Sequence, residues 1–201
     1  DKQVGFVIDH LKRLDRYEDA LIVVLADHGE GFEERSLWYD HGTSSHAEQT
    51  QIPLIIKWPK GARAGSIDGR LSTLMDVAPT VLERAKLPAL DDAVGRSLWG
   101  DGPGHTVVYS ESSHCKRITV LNCWPAGGQG KELAVRTPTR TLVSASKQSG
   151  SKIGMYDRVK DPTERKVLPV TEGLELDPRM ATFQADRRNR TYDPVPNVRK
   201  P

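Results

Sequence analysis

Ala20, Leu21, Ile22, Val23, Val24, Leu25 and Ala26, followed at once by Asp27, His28, Gly29, Glu30 and Gly31, form the stretch that decides how this chain folds. Seven apolar residues with a β-branched centre read as a buried parallel strand, covered on both faces. The polar cluster then falls at the strand's carboxyl end, where open α/β sheets bind their ligands. Upstream, Val4, Val7, Ile8, Leu11 and Leu14 repeat at helical spacing, which predicts a helix over about 3–15. Arg16–Asp19 supplies a polar turn between the two. Only Asp1 stands as a start signal for that helix, so the reading expects a chain cut from something longer.

Downstream, Phe32–Gln51 shows no periodicity, and a stretch of that length without structure of its own is expected to be functional. Ile52–Pro59 reads as the next parallel strand, over about 53–58, with Pro53 tolerable at its start. Lys60–Gly69 is a glycine-rich connection. Asp76 is placed to cap a helix over about 76–86, with Val77, Val81, Leu82 and Ala85 facing inward. After a Pro-, Gly- and Asp-rich loop over 87–104, the runs Thr106–Ser110, Arg117–Leu121, Lys131–Arg136 and Arg140–Ala145 predict a small antiparallel sheet. Asp161–Glu164 reads as the start of a helical turn. The expected organisation is a core over 1–104, an antiparallel subdomain over 105–172, and an extended tail over 173–201.

Composition narrows the function classes. Lys plus Arg number 29 against 27 acids, a net charge of +2 that gives no reason to expect nucleic acid or a membrane surface as partner. With 37% apolar and 28% charged residues the chain is too polar for a membrane protein and too apolar for a disordered one. No apolar run approaches the length of a bilayer span, and no signal peptide opens the sequence. The compartment stays unassigned. Cys115 and Cys123 are too few for a disulfide scaffold.

Asp27 and His28 are the first candidates for chemistry. Side chains on neighbouring residues at a strand's end can converge, and a carboxylate beside an imidazole suits a divalent cation: Zn, Mn, or Ca with further oxygens. The plainer reading has Asp27 capping a turn at Gly29 and His28 solvated. His10, His105 and His114 have no acidic or histidine partner at ligand spacing and read as surface or satisfied-core residues. Trp38, Trp58, Trp99 and Trp124 are scattered singly and read as packing anchors. Arg187–Arg190 reads as a solvated face.

Leu21–Phe32, then Tyr39-Asp40-His41-Gly42, then Ile52–Ile56, resembles the sulfatase family of the alkaline-phosphatase superfamily. Asp76–Ala85, Gly95–Leu98, Met155-Tyr156-Asp157, Asp161-Pro162 and Glu164 continue the resemblance in register, over roughly 1–170. It implies an α/β fold with a mixed sheet flanked by helices and a smaller C-terminal antiparallel sheet. The implied activity is hydrolysis of a small sulfate ester, or of a related phosphate or phosphonate ester. In that family one divalent metal sits between two acidic residues of the first strand and an Asp-Asn or Asp-His pair; Asp27 and His28 match the pair. The resemblance implies calcium first, with manganese, magnesium or zinc as alternatives. The Asp-His form departs from the Asp-Asn of the best-known calcium sulfatases and occurs among choline-sulfatase-like and phosphonate- or phosphodiester-hydrolysing relatives, leaving metal and substrate class open. His41 matches a position that supplies a histidine or lysine to the transferred group or leaving oxygen, where an imidazole can protonate an alkoxide. His46 falls where an aromatic residue is common and reads as packing, and Thr43 replaces a frequent histidine.

Sulfatases attack with a formylglycine made from Cys or Ser in a C/S-x-P-x-R motif, and the 201 residues contain none. Cys123-Trp124-Pro125-Ala126-Gly127 has Gly where Arg belongs; Arg136-Thr137-Pro138-Thr139-Arg140 lacks the Cys or Ser, although an Arg there can face an anionic substrate. The resemblance therefore expects the nucleophile in the remainder of the same polypeptide, upstream. Three readings stand: a sulfatase fragment, a phosphonate monoester or phosphodiester hydrolase on the same scaffold, or a catalytically incomplete binding module.

Overall fold

A computed structural model describes residues 1–36, 38–42, 44–113, 131–143 and 154–169. The run Arg117–Leu121, His114, both cysteines, Trp124, Thr43 and the tail from 173, with its Arg187–Arg190 cluster, lie outside the described residues. The chain forms two compact units. One comprises 1–29 and 51–108; the other comprises 30–50 and the chain from 109.

In the first unit, α1 (Lys2–Arg13) leads to β1 (Ile22–Leu25), which pairs with β4 (Leu54–Lys57); α3 (Val77–Arg84) follows. All four lie within about two residues of their expected positions. The pairing does not. β1 and β4 run antiparallel, with Ile22 opposite Lys57 and Leu25 opposite Leu54, where parallel strands were expected. An unbroken apolar run specifies burial and is silent about direction. Here β4 begins beside the residue at which β1 ends, and no crossover returns the chain to the start of β1. Nor are both faces covered: Ile22–Val24 are half-buried and Leu25 is exposed. The apolar stripe of α1 is likewise uncovered, with Val4, Phe6, Val7 and Leu14 exposed. Lys12 and Arg13 place positive charge at the helix's C-terminal end, where the helix dipole favours it.

Side chains, more than apolar contact, tie this unit together. Lys57 Nζ donates to the carbonyls of Tyr17, Glu18 (2.9 Å) and Ala20 (3.2 Å), and lies 4.4 Å from the Tyr17 ring centroid. One ammonium thereby satisfies the carbonyls of the turn between α1 and β1. Asp76 takes a different part from the expected cap of α3. It closes a capping box with Thr73 around the short 3-10 turn Leu74–Asp76, and its side chain makes no cap bond to α3. Fully buried, it accepts from the Thr73 (2.8 Å) and Arg96 (2.7 Å) amides and from His105 Nε2 (2.7 Å). His105 is thus a satisfied-core histidine with an acidic partner 29 residues away. Gly95 is required beside this site, because a Cβ there would stand 1.9 Å from the Met75 carbonyl oxygen. Trp58 and Trp99 meet edge-on at 5.0 Å rather than packing singly, and the Arg84 guanidinium lies 4.0 Å from the Trp99 ring. No helix among the described residues is long and apolar enough to cross a membrane.

The second unit carries the antiparallel sheet. β5 (Val108–Ser113), β6 (Lys131–Arg136), β7 (Arg140–Val143) and β8 (Gly154–Asp157) are adjacent in that order. Ala134 pairs with Val143 and Arg140 with Asp157 in antiparallel register. Ala134, Val143 and Tyr156 form the core, with Val135, Leu142 and Met155 also buried. Tight loops fix the register. Arg140 donates to Asp157 (2.9 Å), whose carboxylate also accepts from the Val159 and Lys160 amides. Those amide bonds hold the Asp157 carboxyl below its usual range. Residues 158–164 form hydrogen-bonded turns, closed by Asp161 N to Asp157 O and Glu164 N to Asp161 O, and the turn expected at Asp161–Glu164 does not extend into a helix. The remaining elements, β2 (Gly31–Phe32), β3 (Trp38–Asp40) and the single turn α2 (Ala47–Thr50), fill the stretch read as irregular.

Candidate functional site

Asp27 and His28 stand where β1 gives way to a loop. The His28 amide donates to Asp27 Oδ1 (3.0 Å), and His28 Nδ1 donates to the Gly29 carbonyl (2.8 Å). A carbonyl can only accept, so Nδ1 carries a proton, the tautomer that in a neutral ring places the lone pair on Nε2. Nε2 lies 3.7 Å from Asp27 Oδ2. A cation bound about 2.1 Å from a nitrogen and about 2.4 Å from an oxygen separates the two donors by roughly 3.2–3.7 Å for angles of 90–110°. The pair therefore fits a divalent cation in spacing, in tautomer and in having the histidine's other nitrogen anchored on a carbonyl, as metal-bound histidines usually are. The plainer reading of Asp27 as a cap on Gly29 is not what the geometry gives, since the amide it accepts from is that of His28. Both side chains reach solvent, at 87% and 43% exposure for Asp27 and His28. Among the described residues no cluster of three or more His, Cys, Asp or Glu side chains is gathered for a metal, so this pair would provide two ligands.

His41 belongs to the second unit. There β2 and β3 pair antiparallel with Gly31 opposite Asp40, and Glu30 and His41 are the residues next to that pair in the chain. His41 Nδ1 donates to Glu30 Oε2 at 3.2 Å, while Glu30 Oε1 is buried with no hydrogen-bond partner among the described residues. The carboxylate fixes the imidazole with Nδ1 protonated and Nε2 turned to the other side of the ring. Three non-glycine residues of this segment, Glu33 (φ 100°), Arg35 (φ 53°) and Tyr39 (φ 47°), adopt left-handed backbone. Such strain concentrates at functional loops and persists only when the surroundings over-determine it. Phe32 and Tyr39 meet edge-on at 5.8 Å, both exposed.

Beyond His41 the chain dives into a buried polar network. Ser44 N donates to Gln49 Oε1 (3.0 Å); Ser44 Oγ and Ser45 N donate to Glu132 Oε1 (3.1 and 2.5 Å). His46 Nδ1 and Ala47 N both donate to Glu164 Oε2 at 3.0 Å, and Arg136 reaches Glu164 Oε1 at 3.3 Å. Burial alone would raise the Glu164 carboxyl. The His46 hydrogen bond and the Arg136 charge outweigh it and hold the group down to about 2. Burial pushes Arg136 below its usual value against that same partner.

His46 packs edge-on to Tyr156 at 5.3 Å, as its packing reading expects, and in addition donates to the buried Glu164 carboxylate, which that reading did not anticipate. Arg136 is not available to an anionic substrate: it is 8% exposed and committed to Glu164, Ser110 and the Ser45 carbonyl. Arg140 is paired with Asp157. Sequence reasoning missed Glu30, Glu132 and the roles of Glu164 and His46. Glu30 had a faint signal, two residues past His28, whereas the Glu164–His46 contact spans 118 residues. A cleft of about 590 Å³ opens in this unit, lined by Phe32, Arg35, Tyr156, Glu164 and Arg165 among others.

Residues 1–87 match the model of the sulfatase family. An N-acetylglucosamine-6-O-sulfatase of Bacteroides thetaiotaomicron is 32% identical over 98 residues, which are 49% of this chain and 17% of that protein. Among solved structures, one in complex with its substrate D-glucosamine-2-N,6-O-disulfate matches 99% of this chain and 40% of its own, with TM-score 0.69 and 22% identity. A phosphonate monoester hydrolase from Silicibacter pomeroyi matches 96% of this chain and 39% of its own, with TM-score 0.69 and 23% identity. The α/β fold is thus shared along nearly the whole chain, which spans less than half the length of the proteins it matches.

Proposed function

Sulfatase-family sequence over residues 1–87, on a fold shared with a sulfated-sugar-binding structure, is the premise on which we propose that this chain is part of a metal-dependent hydrolase of sulfate esters. The observation that carries the reading is the Asp27–His28 pair, whose Oδ2 and Nε2 converge to 3.7 Å with Nδ1 anchored on Gly29. Asp27 would hold the cation through Oδ2 and His28 through Nε2; calcium is the first choice, with manganese, magnesium or zinc as alternatives. When bound, such a cation neutralises nonbridging oxygens and stabilises the charge of an in-line displacement. The nucleophile, a formylglycine on this reading, comes from polypeptide outside these residues, since no C/S-x-P-x-R motif occurs among them.

His41 acts as the general acid. Glu30 fixes the ring through Nδ1; in the imidazolium form, with both nitrogens protonated, Nε2 delivers its proton to the departing alkoxide and leaves a neutral ring that keeps its Nδ1 proton on Glu30. A second reading, hydrolysis of phosphonate monoesters or phosphodiesters, draws on the Silicibacter pomeroyi likeness, because both ester classes carry a single negative charge spread over nonbridging oxygens. The deciding experiment is kcat/KM of the full-length protein on matched aryl sulfate, aryl phosphonate monoester and phosphodiester substrates. The sulfate should be favoured; preference for either phosphorus ester by 10-fold or more, about 1.4 kcal/mol, would install the second reading. No turnover of any of the three would leave a binding module.

A further inference from the structure

We infer that Glu164 is a positioning residue for His41, holding both stems of the segment that carries it. The inference rests on the assignment of His41 as general acid. Arg35, at the start of the segment, donates through Nη2 to the Glu164 carbonyl, and Arg35 Nη1 pairs with Glu48 Oε2. His46 and Ala47, at its end, both donate to Glu164 Oε2. One residue on the turn after β8 therefore grips a segment of a dozen residues at its two ends, and Tyr39 and His41 lie between the grips. Glu132 adds a second buried carboxylate on the Ser44–Ser45 side.

Two further observations separate a positioning role from ordinary packing. Glu164 and Arg35 both adopt left-handed backbone, at φ 54° and 53°, which non-glycine residues keep only where surrounding contacts impose it. The Glu164 side chain is 2% exposed and faces Arg136, so its carboxylate has a fixed position from which to hold amides. The His41 ring is exposed, with Glu30 on its Nδ1, on a segment whose two ends are both held by Glu164.

The test uses the full-length enzyme as wild type, Glu164→Gln, His41→Ala, the double variant, and Arg35→Lys. Lysine keeps the charge facing Glu48 and cannot span both partners of the Arg35 fork. Two readouts are combined: kcat/KM on an alkyl and a nitrophenyl ester, and hydrogen exchange at the Ala47 amide with the Leu142 amide of β7 as reference. Glu164→Gln should lose about 10²-fold on the alkyl ester and little on the nitrophenyl ester, as expected for a misplaced general acid. It should cost nothing further in the His41→Ala background, and Ala47 should exchange at least about 10-fold faster while Leu142 stays protected. Arg35→Lys should shift both readouts in the same direction, and it decides the matter if Glu164→Gln fails to fold. Equal losses on both esters, a loss that multiplies with that of His41→Ala, or unchanged Ala47 exchange would overturn the proposal. If His41→Ala is itself silent on both esters, the His41 assignment falls and the positioning role with it. Ala47 exchange would then report separately on whether Glu164 grips the stem.

Discussion

His41 is the residue whose assignment reaches furthest beyond its surroundings, because a histidine beside a carboxylate can serve as acid, as anion ligand or as neither. The Glu30 contact fixes the ring's orientation and leaves those roles to be separated by chemistry. If His41 protonates the leaving oxygen, His41→Ala should slow alkyl esters by about 10²–10⁴-fold while sparing nitrophenyl esters, whose oxide leaves unaided. If it binds only the anionic group, both esters should slow equally, since the charge on the transferred group hardly depends on the leaving group. A variant equal to wild type on both would make His41 a plain loop residue. Lys57 offers a residue-scale test in the first unit. Its ammonium meets three carbonyls and the Tyr17 ring, so Lys57→Met should cost about 2 kcal/mol in urea unfolding, charge-assisted hydrogen bonds being worth roughly 1.5–3. A change below about 0.5 kcal/mol would show that water replaces the ammonium without loss.

At the scale of elements, the antiparallel sheet and the turns after β8 depend on a buried charge cluster, which makes the second unit acid-sensitive. Glu164 is held at about 2 against an ordinary value of 4.5, by His46 and Arg136 acting against burial. Its folded value is depressed, so the stabilisation is fully present above about pH 4.5 and is lost as pH falls towards 2. At 1.36 kcal/mol per pH unit the difference amounts to about 3 kcal/mol. Urea midpoints at pH 5 and pH 3 should therefore differ far more in wild type than in Glu164→Gln, and equal pH dependence in both would remove Glu164 as the cause. These contacts were closed to sequence reading. Glu164 meets His46 across 118 residues, Glu132 meets Ser44 across 88, and neither spacing follows from local periodicity. What sequence could read was local: the apolar stripes of α1 and α3, the runs of β1 and β4, and the alternation and turns of β6 and β7. Strand direction was lost for the same reason, since β1 and β4 encode burial and their pairing is set by where the intervening chain goes.

At the scale of the whole molecule, the family match covers residues 1–87 while the fold likeness runs along nearly the whole chain, and the candidate metal pair was legible because two adjacent residues carry it. Asp27 and His28 follow directly from the end of β1 and need no distant partner to be recognised. Their geometry needed the structure: the Nδ1 bond to Gly29 and the 3.7 Å approach of Nε2 to Oδ2 are what make the dipeptide a candidate ligand pair. Both side chains are exposed, so removing either should leave the fold intact, and loss of function can then be ascribed to the cation. The most direct test is metal content and sulfate-ester turnover of the full-length protein and its Asp27→Ala variant, each stripped with chelator and reloaded with calcium, manganese, magnesium or zinc. The account predicts that wild type retains about one cation and regains activity. It predicts that Asp27→Ala retains far less and loses at least about 10²-fold in kcat/KM, since residues that merely support a metal's ligands already cost 10–100-fold. Wild-type turnover by chelated Asp27→Ala, with the fold unchanged, would contradict it.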